Sequence, residues 1–382
     1  MRRRDSLINT SDNNTGGIPS PSPVHTPAPG KNSRPAGMSV SAAAILAAVV
    51  LLLHLTAGFD PTGLSIMPLC ALSAASAALI SLSFASIIPL SICVGGYILA
   101  ALSSGSFLSA LVYLFPLPAA AVIILSLSGG LPAEKRIFGG KSKLFSLRLT
   151  RTECIIALTV LTLILGLSAL YIAIRASGVT VAEFTASESE RFADILRSFT
   201  ETAAEAGNIG GNENMAAIAK YTEDMIQYYV GYLRLMLPSI FVTTASVFAY
   251  TATLFFRLLA KTTRCSYILG EDGWRFTLSR VTAIVFIVSY VLNILGGNLV
   301  DNTITAASGN LVIILTPGLA VIGVKHMLRR IRSPKGLPVA VLYGIVIFVL
   351  AFLNIFMIFT LASFIGVIDI MTGGRRLFDS GE

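Results

Sequence analysis

Runs of about 20 consecutive apolar residues follow one another along most of this chain, from residue 38 to residue 372. A helix of about 20 residues is long enough to span the hydrocarbon core of a bilayer. Hydrophobic residues make up 54% of the 382-residue sequence, and charged residues only 13%. A water-soluble core could not hide so much apolar surface, and a disordered chain would not contain it. The sequence therefore predicts an all-α polytopic transmembrane bundle and excludes a soluble enzyme.

Turns and polar loops divide the apolar sequence into about ten predicted membrane helices, or nine if the last stretch forms a single helix. Four of them lie in a first block at 38–128, with one break near Pro89. A basic loop at 129–153 precedes the fifth helix at 154–175. The remaining helices form a C-terminal membrane block at 236–372.

The two ends of the chain differ from each other in composition. Residues 1–37 are rich in Ser, Pro, Asn and Gly, which predicts a disordered tail. Near the other end, the apolar stretch 337–372 is too long for one helix in a bilayer of about 30 Å, so we expect two short helices that meet between Asn354 and Thr360. A short tail at 373–382 follows.

The segment 176–235 is acidic and polar, unlike its neighbours. It contains nine acidic and four basic residues, and apolar side chains recur at helical spacing around Phe192 and Leu196. Ser187 followed by Glu190 fits a capping box. A Gly- and Asn-rich break at 207–214 divides the segment, which therefore predicts a water-exposed helical hairpin.

The distribution of charge predicts the orientation of the chain. Most of the 28 Lys and Arg residues fall in segments that share one side of the membrane if both termini are cytoplasmic. The acidic hairpin then lies outside. The basic residues are therefore explained by topology, so we expect a bacterial plasma-membrane protein and no nucleic-acid partner.

The sequence shows no catalytic signature. Walker, HExxH and GxSxG motifs are absent, and so are paired intramembrane carboxylates. The four cysteines form no C-x-x-C pair, and the three histidines lie far apart in sequence. We therefore expect no enzyme, no catalytic residues, no metal site and no cofactor.

Polar residues at membrane depth are the remaining candidates for function, because burying them in lipid is costly without a partner. Asn293, Asn310 and Asn354 lie within predicted helices, and Asp301 lies in the turn between two of them. These four residues are the candidate substrate-binding side chains. The alternative for the asparagines is hydrogen bonding between helices that holds the bundle together.

Two other residues have a membrane-interface interpretation. Asp369 lies near the end of the last helix, and we expect it to form an interfacial ion pair with Arg375 and Arg376. Trp274 is the single tryptophan and lies in a basic loop, where we expect it at the membrane interface.

Small residues crowd the first helix. Ala43 and Ala47 form a small-xxx-small pair, which lets two helices approach closely. The pair either packs within the chain or docks the first helix on a partner membrane protein.

Four segments, taken in order, resemble the YybS-like family of bacterial membrane proteins, whose function is unknown. They are "SAAAILAAVVLLL" in the first helix, "YVGYLRLMLPSIFV" after the hairpin, "GWRFTLSR" ahead of helix seven, and the end from "GLAVIGVKHMLRR" to "IGVIDIMTGGRRL". The resemblance covers about 38–376. The tail after Asp369 is less aromatic than is usual in such proteins.

That family is similar in part to the substrate-binding membrane components of energy-coupling-factor vitamin transporters. Such components bind a small molecule and dock on an energising subunit through alanines of an early helix. The resemblance therefore implies that Ala43 and Ala47 dock a coupling subunit. Such components typically have six helices, fewer than are predicted in this chain.

Two functions remain open from the sequence. One is a small-molecule-binding membrane component of a transporter without its own ATPase, with a polar cavity near Asn293 and Asn310. The other is a non-transporting membrane scaffold for envelope assembly that captures envelope proteins through the hairpin 176–235.

Overall fold

The computed structural model describes residues 38–57, 66–86, 116–131, 148–206, 212–270, 273–299, 302–331 and 355–372, with isolated positions within 88–98 and 338–345. All regular elements in these residues are helices, which confirms the all-α prediction. The N-terminal tail at 1–37, the candidate residues Asp301 and Asn354, and the C-terminal tail at 373–382 lie outside the described residues.

The described residues form nine α-helices and one short 3-10 helix at Ser266–Leu269. The α-helices are α1 (Val40–Ala57), α2 (Ile66–Phe84), α3 (Pro116–Ser128), α4 (Arg151–Ala176), α5 (Val181–Ala206), α6 (Asn212–Thr262), α7 (Arg280–Leu299), α8 (Asn302–Ile331) and α9 (Ile355–Met371).

Four stretches of these helices are long and apolar enough to cross a membrane, namely Ile66–Phe84, Arg151–Ala176, Leu235–Thr262 and Thr303–Ile331. Shorter apolar stretches occur in α1, α3, α7 and α9. Ile156, Ile164 and Ile172 are more than half exposed along α4, as expected for a surface that faces lipid. The chain is therefore a multi-pass membrane protein. The count of ten membrane helices stays a prediction, because the helices expected near 90–103 and 337–353 fall mostly outside the described residues.

The loop between α6 and α7 packs onto the ends of several other helices. The indole Nε1 of Trp274 donates to the carbonyl of Leu149, 3.3 Å away, just before α4. The hydroxyl of Ser83, at the end of α2, donates to the Sγ of Cys265 at 3.4 Å. Trp274 is only 3% exposed, and its ring contacts Phe256 edge to face. Its side chain therefore packs inside the bundle and does not face the membrane interface, where it was expected.

The basic segments lie together at one end of the bundle. Arg148 donates to the carbonyl of Leu269 in the α6–α7 loop, and Lys325 of α8 lies within electrostatic reach of Arg257 and Arg275. We call this end, marked by Arg148, Arg257, Arg275 and Lys325, the basic end. Helices α6 and α8 run towards it, and α4 and α7 start from it.

The acidic hairpin lies at the opposite end of α6 from these basic groups. Helices α5 and α6 pack against each other there through Ala193, Ile226 and Val230, with Phe192 and Leu196 alongside. This contact confirms two packed helices in the segment 176–235.

Helix α6 differs from the prediction because it is continuous for 51 residues. The sequence predicts a second hairpin helix at 215–235 and a separate membrane helix from about 237, with Pro238 near their junction. Pro238 instead lies inside the helix. A proline removes one backbone hydrogen bond, a loss that membrane helices tolerate when neighbouring groups satisfy the freed carbonyl. The second helix of the hairpin and the membrane segment therefore form one continuous helix.

Two other boundaries differ from those expected. Helix α5 begins at Val181, six residues before the predicted cap, and Ser187 lies inside it. The capping box is made by Thr180 and Glu183, whose side chains bond each other's backbone N–H groups. Helix α2 ends at Phe84, before Pro89, where Ala85 adopts a φ of +48° that ends the helix.

Helices α8 and α9 cross in close contact at glycines. A Cβ on Gly366 would collide with the backbone carbonyl of Leu319, and one on Gly323 would collide with that of Ala362. The hydroxyl of Ser363 donates to the carbonyl of Thr316 across the same interface at 3.1 Å. Small residues at such crossings let the two backbones approach, which strengthens van der Waals packing in lipid.

Candidate functional site

The interface between α7 and α8 contains the first of the predicted asparagines. The amide Nδ2 of Asn293 donates to the backbone carbonyl of Thr305 at 3.3 Å. The hydroxyl of Ser308 donates to the same carbonyl at 3.0 Å. The hydroxyl of Thr305 itself is buried and has no hydrogen-bond partner among the described residues. Asn293 therefore fastens α7 to α8 beside a polar atom that is left unpaired.

Asn310 makes an equivalent link between α8 and α6. Its Nδ2 donates to the carbonyl of Leu235 at 3.0 Å, and that contact fixes which way the amide faces, because a carbonyl can only accept. The other end of the amide, Oδ1, is buried without a partner within the described structure. A buried acceptor left without a donor costs about 1–3 kcal/mol, so this atom calls for an explanation.

These two asparagines do not form one cluster. Asn293 contacts α8 at Thr305, which lies five residues before Asn310. This spacing places Thr305 and Asn310 about 140° apart around α8 and about 7.5 Å apart along its axis. Asn293, which belongs to α7, therefore meets α8 on a different face from the one that carries Asn310. Asn354 and Asp301 cannot be placed beside them, since both lie outside the described residues. Thr305 is not among the predicted site residues. Most threonine hydroxyls in helices bond to a carbonyl of their own helix, and nothing in the sequence distinguishes Thr305 from them.

A charged cluster joins the ends of α8 and α9. Asp369 is only 7% exposed, and its two carboxylate oxygens lie 2.8 Å from Nδ1 of His326 and 3.0 Å from Nη2 of Arg329. The sequence predicts an ion pair of Asp369 with Arg375 and Arg376, which both lie outside the described residues. The apolar run predicts a membrane helix at about 304–324, which ends before His326 and Arg329, whereas α8 continues to Ile331. The extra two turns carry His326 and Arg329 to the carboxylate.

The hairpin holds a second charged cluster around Arg197. Its guanidinium bonds Glu223 of α6 through Nε at 3.1 Å and Nη2 at 2.9 Å, and it also contacts Glu190 and Asp194 of α5. These bonds, with one more from Gln227, lower the pKa of the Glu223 carboxyl to about 2. The two-atom fork from one arginine fixes the register of the two hairpin helices.

The small-residue pair of the first helix lies on the inner side of α1. Ala43 is 6% exposed, and Ala47 packs beside it against the core formed largely by alanines of α2. Ala44 and Ala48, the other alanines with this spacing, are exposed. The arrangement gives Ala43 and Ala47 a packing role within the chain, and their role as docking residues stays a prediction.

Metal ligands are not grouped in the part of the chain that the structure describes. No three His, Cys, Asp or Glu side chains lie together there in an arrangement that could hold an ion. Cys70, Cys154 and Cys265 are each buried.

Comparison with known proteins supports the membrane assignment. Residues 142–370 match the model of a family described as "Predicted membrane protein (DUF2232)". No curated protein and no solved structure matches the chain. The matched region runs from just before α4 to the end of α9, and so includes the hairpin, both asparagines and the Asp369 cluster. The chain belongs to this family.

Proposed function

We propose that this member of the DUF2232 family is a small-molecule-binding membrane component of a transporter that has no ATPase of its own. The observation that carries the proposal is the buried Oδ1 of Asn310, which has no partner among the described residues. A bound molecule that donates a hydrogen bond there would remove the cost of that unpaired acceptor. The substrate is therefore expected to present a hydroxyl, amine or amide N–H.

Several features support this role without naming the substrate. The chain is a multi-pass helical membrane protein, and polar groups line two neighbouring faces of α8 at membrane depth. The resemblance to components of energy-coupling-factor transporters points to a separate coupling subunit as the partner that supplies energy. The protein would act by binding and not as an enzyme.

The proposed setting is the bacterial plasma membrane, with both termini in the cytoplasm. The clustering of Arg148, Arg257, Arg275 and Lys325 at one end of the bundle supports it, since basic residues favour the cytoplasmic side. The acidic hairpin would then face outward. Cysteine-accessibility labelling of intact cells at Tyr221→Cys in the hairpin and at Arg264→Cys in the α6–α7 loop tests this. Labelling only at Tyr221→Cys is expected, and the reverse would contradict the orientation.

The binding proposal is tested with Asn310→Leu, which removes the unpaired Oδ1 together with the Nδ2 bond to the carbonyl of Leu235. The thermal stability of the ligand-free protein shows whether the packing of α8 on α6 survives the change. Thr316→Val is the matched control, because the Thr316 hydroxyl is satisfied by the carbonyl of Val312 at 2.7 Å. The full chain is purified in mild detergent, and retained small molecules are identified by mass spectrometry.

We expect the wild-type protein to retain a molecule with hydrogen-bond donors. Asn310→Leu should reduce that retention by about two- to tenfold, the range of a single neutral hydrogen bond, while Thr316→Val leaves it unchanged. The ligand-free Asn310→Leu protein should melt close to the wild type, because the lost Nδ2 bond and the removed unpaired acceptor offset each other. Equal loss from both variants, or a wild-type protein that retains nothing, would contradict the proposal.

A scaffold role through the hairpin is the second candidate, and the continuity of α6 favours it. About 23 residues of α6 precede its membrane segment, which places the hairpin on a rod about 35 Å long that has no joint at the membrane surface. Tyr221 is 68% exposed on this rod, and Glu223 and Asp224 follow it closely in the chain. Such a rigid arm could hold a basic envelope protein at a fixed distance from the membrane.

Capture of envelope proteins distinguishes this candidate from the first. Cross-linking of intact cells followed by mass spectrometry would compare the wild type with Tyr221→Ser and with a chain in which residues 181–230 are replaced by a short flexible linker. The scaffold role predicts that both changes remove the same captured proteins, while the membrane body keeps its thermal stability. If capture is unaffected by the linker, the hairpin is not the docking element.

A further inference from the structure

A buried arginine begins α4 at the basic end of the bundle. Arg151 is only 5% exposed, and its Nε donates to the hydroxyl of Thr253 on α6 at 3.2 Å. No carboxylate lies within ion-pair distance of it among the described residues. A cation at the first residue of a helix is also disfavoured by the helix dipole. Burying a guanidinium in this way is costly unless an anion compensates for it.

A second arginine lies close to the first. Arg257 is four residues after Thr253 on α6, and therefore on the same face, one turn nearer the end of the helix. Its charge acts directly on Arg151. Its Nε is buried and has no hydrogen-bond partner in the described part of the chain. Two guanidinium groups are thus close enough to repel each other, and one of them has a buried donor that is left without an acceptor.

Other positive charges surround this pair. Arg257 and Arg275 both act electrostatically on Lys325 of α8, as does Arg329. In the described part of the chain, the one carboxylate that acts on Lys325 is Asp369, which is already held by His326 and Arg329. Neither Arg257 nor Arg275 has an acidic partner within the residues that the structure describes. Among the described residues, positive charge therefore exceeds negative charge where α4, α6, the α6–α7 loop and α8 meet.

We propose that Arg151, Arg257, Arg275 and Lys325 form a binding site for a phosphate group at the basic end of the bundle. Arginine cannot escape its burial by losing a proton, so a bound anion is the available means of compensation. The planar fork of guanidinium donors matches the oxygens of a phosphate, and lysine adds a point charge. Basic pockets between membrane helices commonly hold anionic headgroups. The phosphate belongs either to an anionic phospholipid or to a water-soluble phosphate compound.

The test compares two arginine variants at the same end of the protein. Arg257→Gln removes the donor that lacks a partner, whereas Arg280→Gln removes an equal charge from the exposed start of α7. The full chain is placed in nanodiscs of phosphatidylglycerol or of phosphatidylcholine, and bound lipid is counted by native mass spectrometry. In a separate arm, inorganic phosphate is titrated into the detergent-purified protein, and its thermal stabilisation is measured.

We expect Arg257→Gln to weaken phosphate-group binding by about tenfold or more, as for the loss of a hydrogen bond to a charged group, and Arg280→Gln by less than twofold. A difference seen only with phosphatidylglycerol identifies a lipid headgroup. A difference seen only with inorganic phosphate identifies a soluble compound. Equal effects of the two variants in both arms, or no binding by the wild type, would overturn the proposal.

Thermal stability without ligand separates a binding role from a structural one. In phosphate-free, zwitterionic detergent the Arg257 guanidinium is unopposed, so Arg257→Gln should melt at or above the wild-type temperature. Arg257→Lys, which keeps the charge but not the fork, should recover part of the binding. A large loss of stability in Arg257→Gln without ligand would assign the arginine to packing and overturn the site.

Discussion

Gly366 of α9 leaves no room for a side chain where it crosses α8. A Cβ at this position would lie 3.0 Å from the carbonyl carbon of Leu319 and 3.1 Å from the nitrogen of Gly323, and would overlap the Leu319 oxygen. All three are backbone atoms, so no side-chain rotation can relieve the overlap. Gly366→Ala must therefore push α9 away from α8, by a displacement on the order of 1 Å if ordinary contact distances are to be restored.

The cost can be isolated with a second glycine. Gly166 lies in α4, and a Cβ there meets nothing within 4 Å. Replacing either glycine by alanine gains about 1 kcal/mol of helix propensity. The difference between Gly366→Ala and Gly166→Ala is therefore the cost of forcing the crossing apart, about 1–3 kcal/mol for overpacking of this kind. At an unfolding entropy of about 2.1 cal/mol/K per residue, this corresponds to an apparent Tm difference of roughly 1–4 °C for the chain.

The buried thiols supply the assay. Cys70, Cys154 and Cys265 are at most 3% exposed, so a thiol-reactive fluorophore reaches them only when the bundle opens. Heating the detergent-purified protein with such a dye reports the apparent Tm of the membrane body. We expect Gly166→Ala to melt at or slightly above the wild type and Gly366→Ala below both. If the two variants melt together, the close crossing of α8 and α9 is wrong.

Two further predictions concern the charged clusters. Asp369→Asn should lower the apparent Tm in the same thiol assay, because His326 and Arg329 lose their carboxylate partner. The expected loss of stability is about 1–3 kcal/mol, and it should lie towards the lower value because Arg329 is half exposed. In the hairpin, Glu223→Gln should destabilise the α5–α6 contact at pH 7 by removing the acceptor of Arg197. The pKa of Glu223 is lowered to about 2 from 4.5, so its stabilisation is complete above about pH 4.5 and is lost as the pH falls towards 2. Circular dichroism melts of the full chain from pH 7 to pH 2.5 should show the wild type converging on Glu223→Gln.

Matched controls accompany these two predictions. Glu188→Gln removes a carboxylate of α5 that is exposed and only loosely paired with Arg191, at 3.9 Å, so it should leave the hairpin melt unchanged. A wild-type advantage over Glu223→Gln that does not shrink between pH 4.5 and pH 2.5 would contradict the pairing with Arg197. For α9, an Asp369→Asn protein as stable as the wild type would mean that the carboxylate contributes nothing to the α8–α9 interface.

Local pattern was sufficient for the secondary structure. Apolar runs of bilayer length predict membrane helices because lipid offers backbone groups no other partner, and the acidic segment with apolar side chains at helical spacing predicts the hairpin. Boundaries were less accurate where neighbours decide them. Pro238 ends a helix in most soluble settings, yet α6 continues through it inside the bundle. Ser187 and Thr180 both fit a helix cap, and the sequence alone does not choose between them.

The candidate sites depended far more on tertiary structure. Composition identified Asn293 and Asn310 as polar residues at membrane depth, but only the packing of α6 and α7 on α8 decided which amide atoms are paired and that they lie on different faces. The partners of Asp369 come from α8, 40 and 43 residues earlier in the chain, and the partner of Arg151 is Thr253 of α6. Hydrophobicity along a chain is a local property and can be read from order alone. The pairing of charges depends on which helix ends meet, and that is set by how the side chains of distant helices pack.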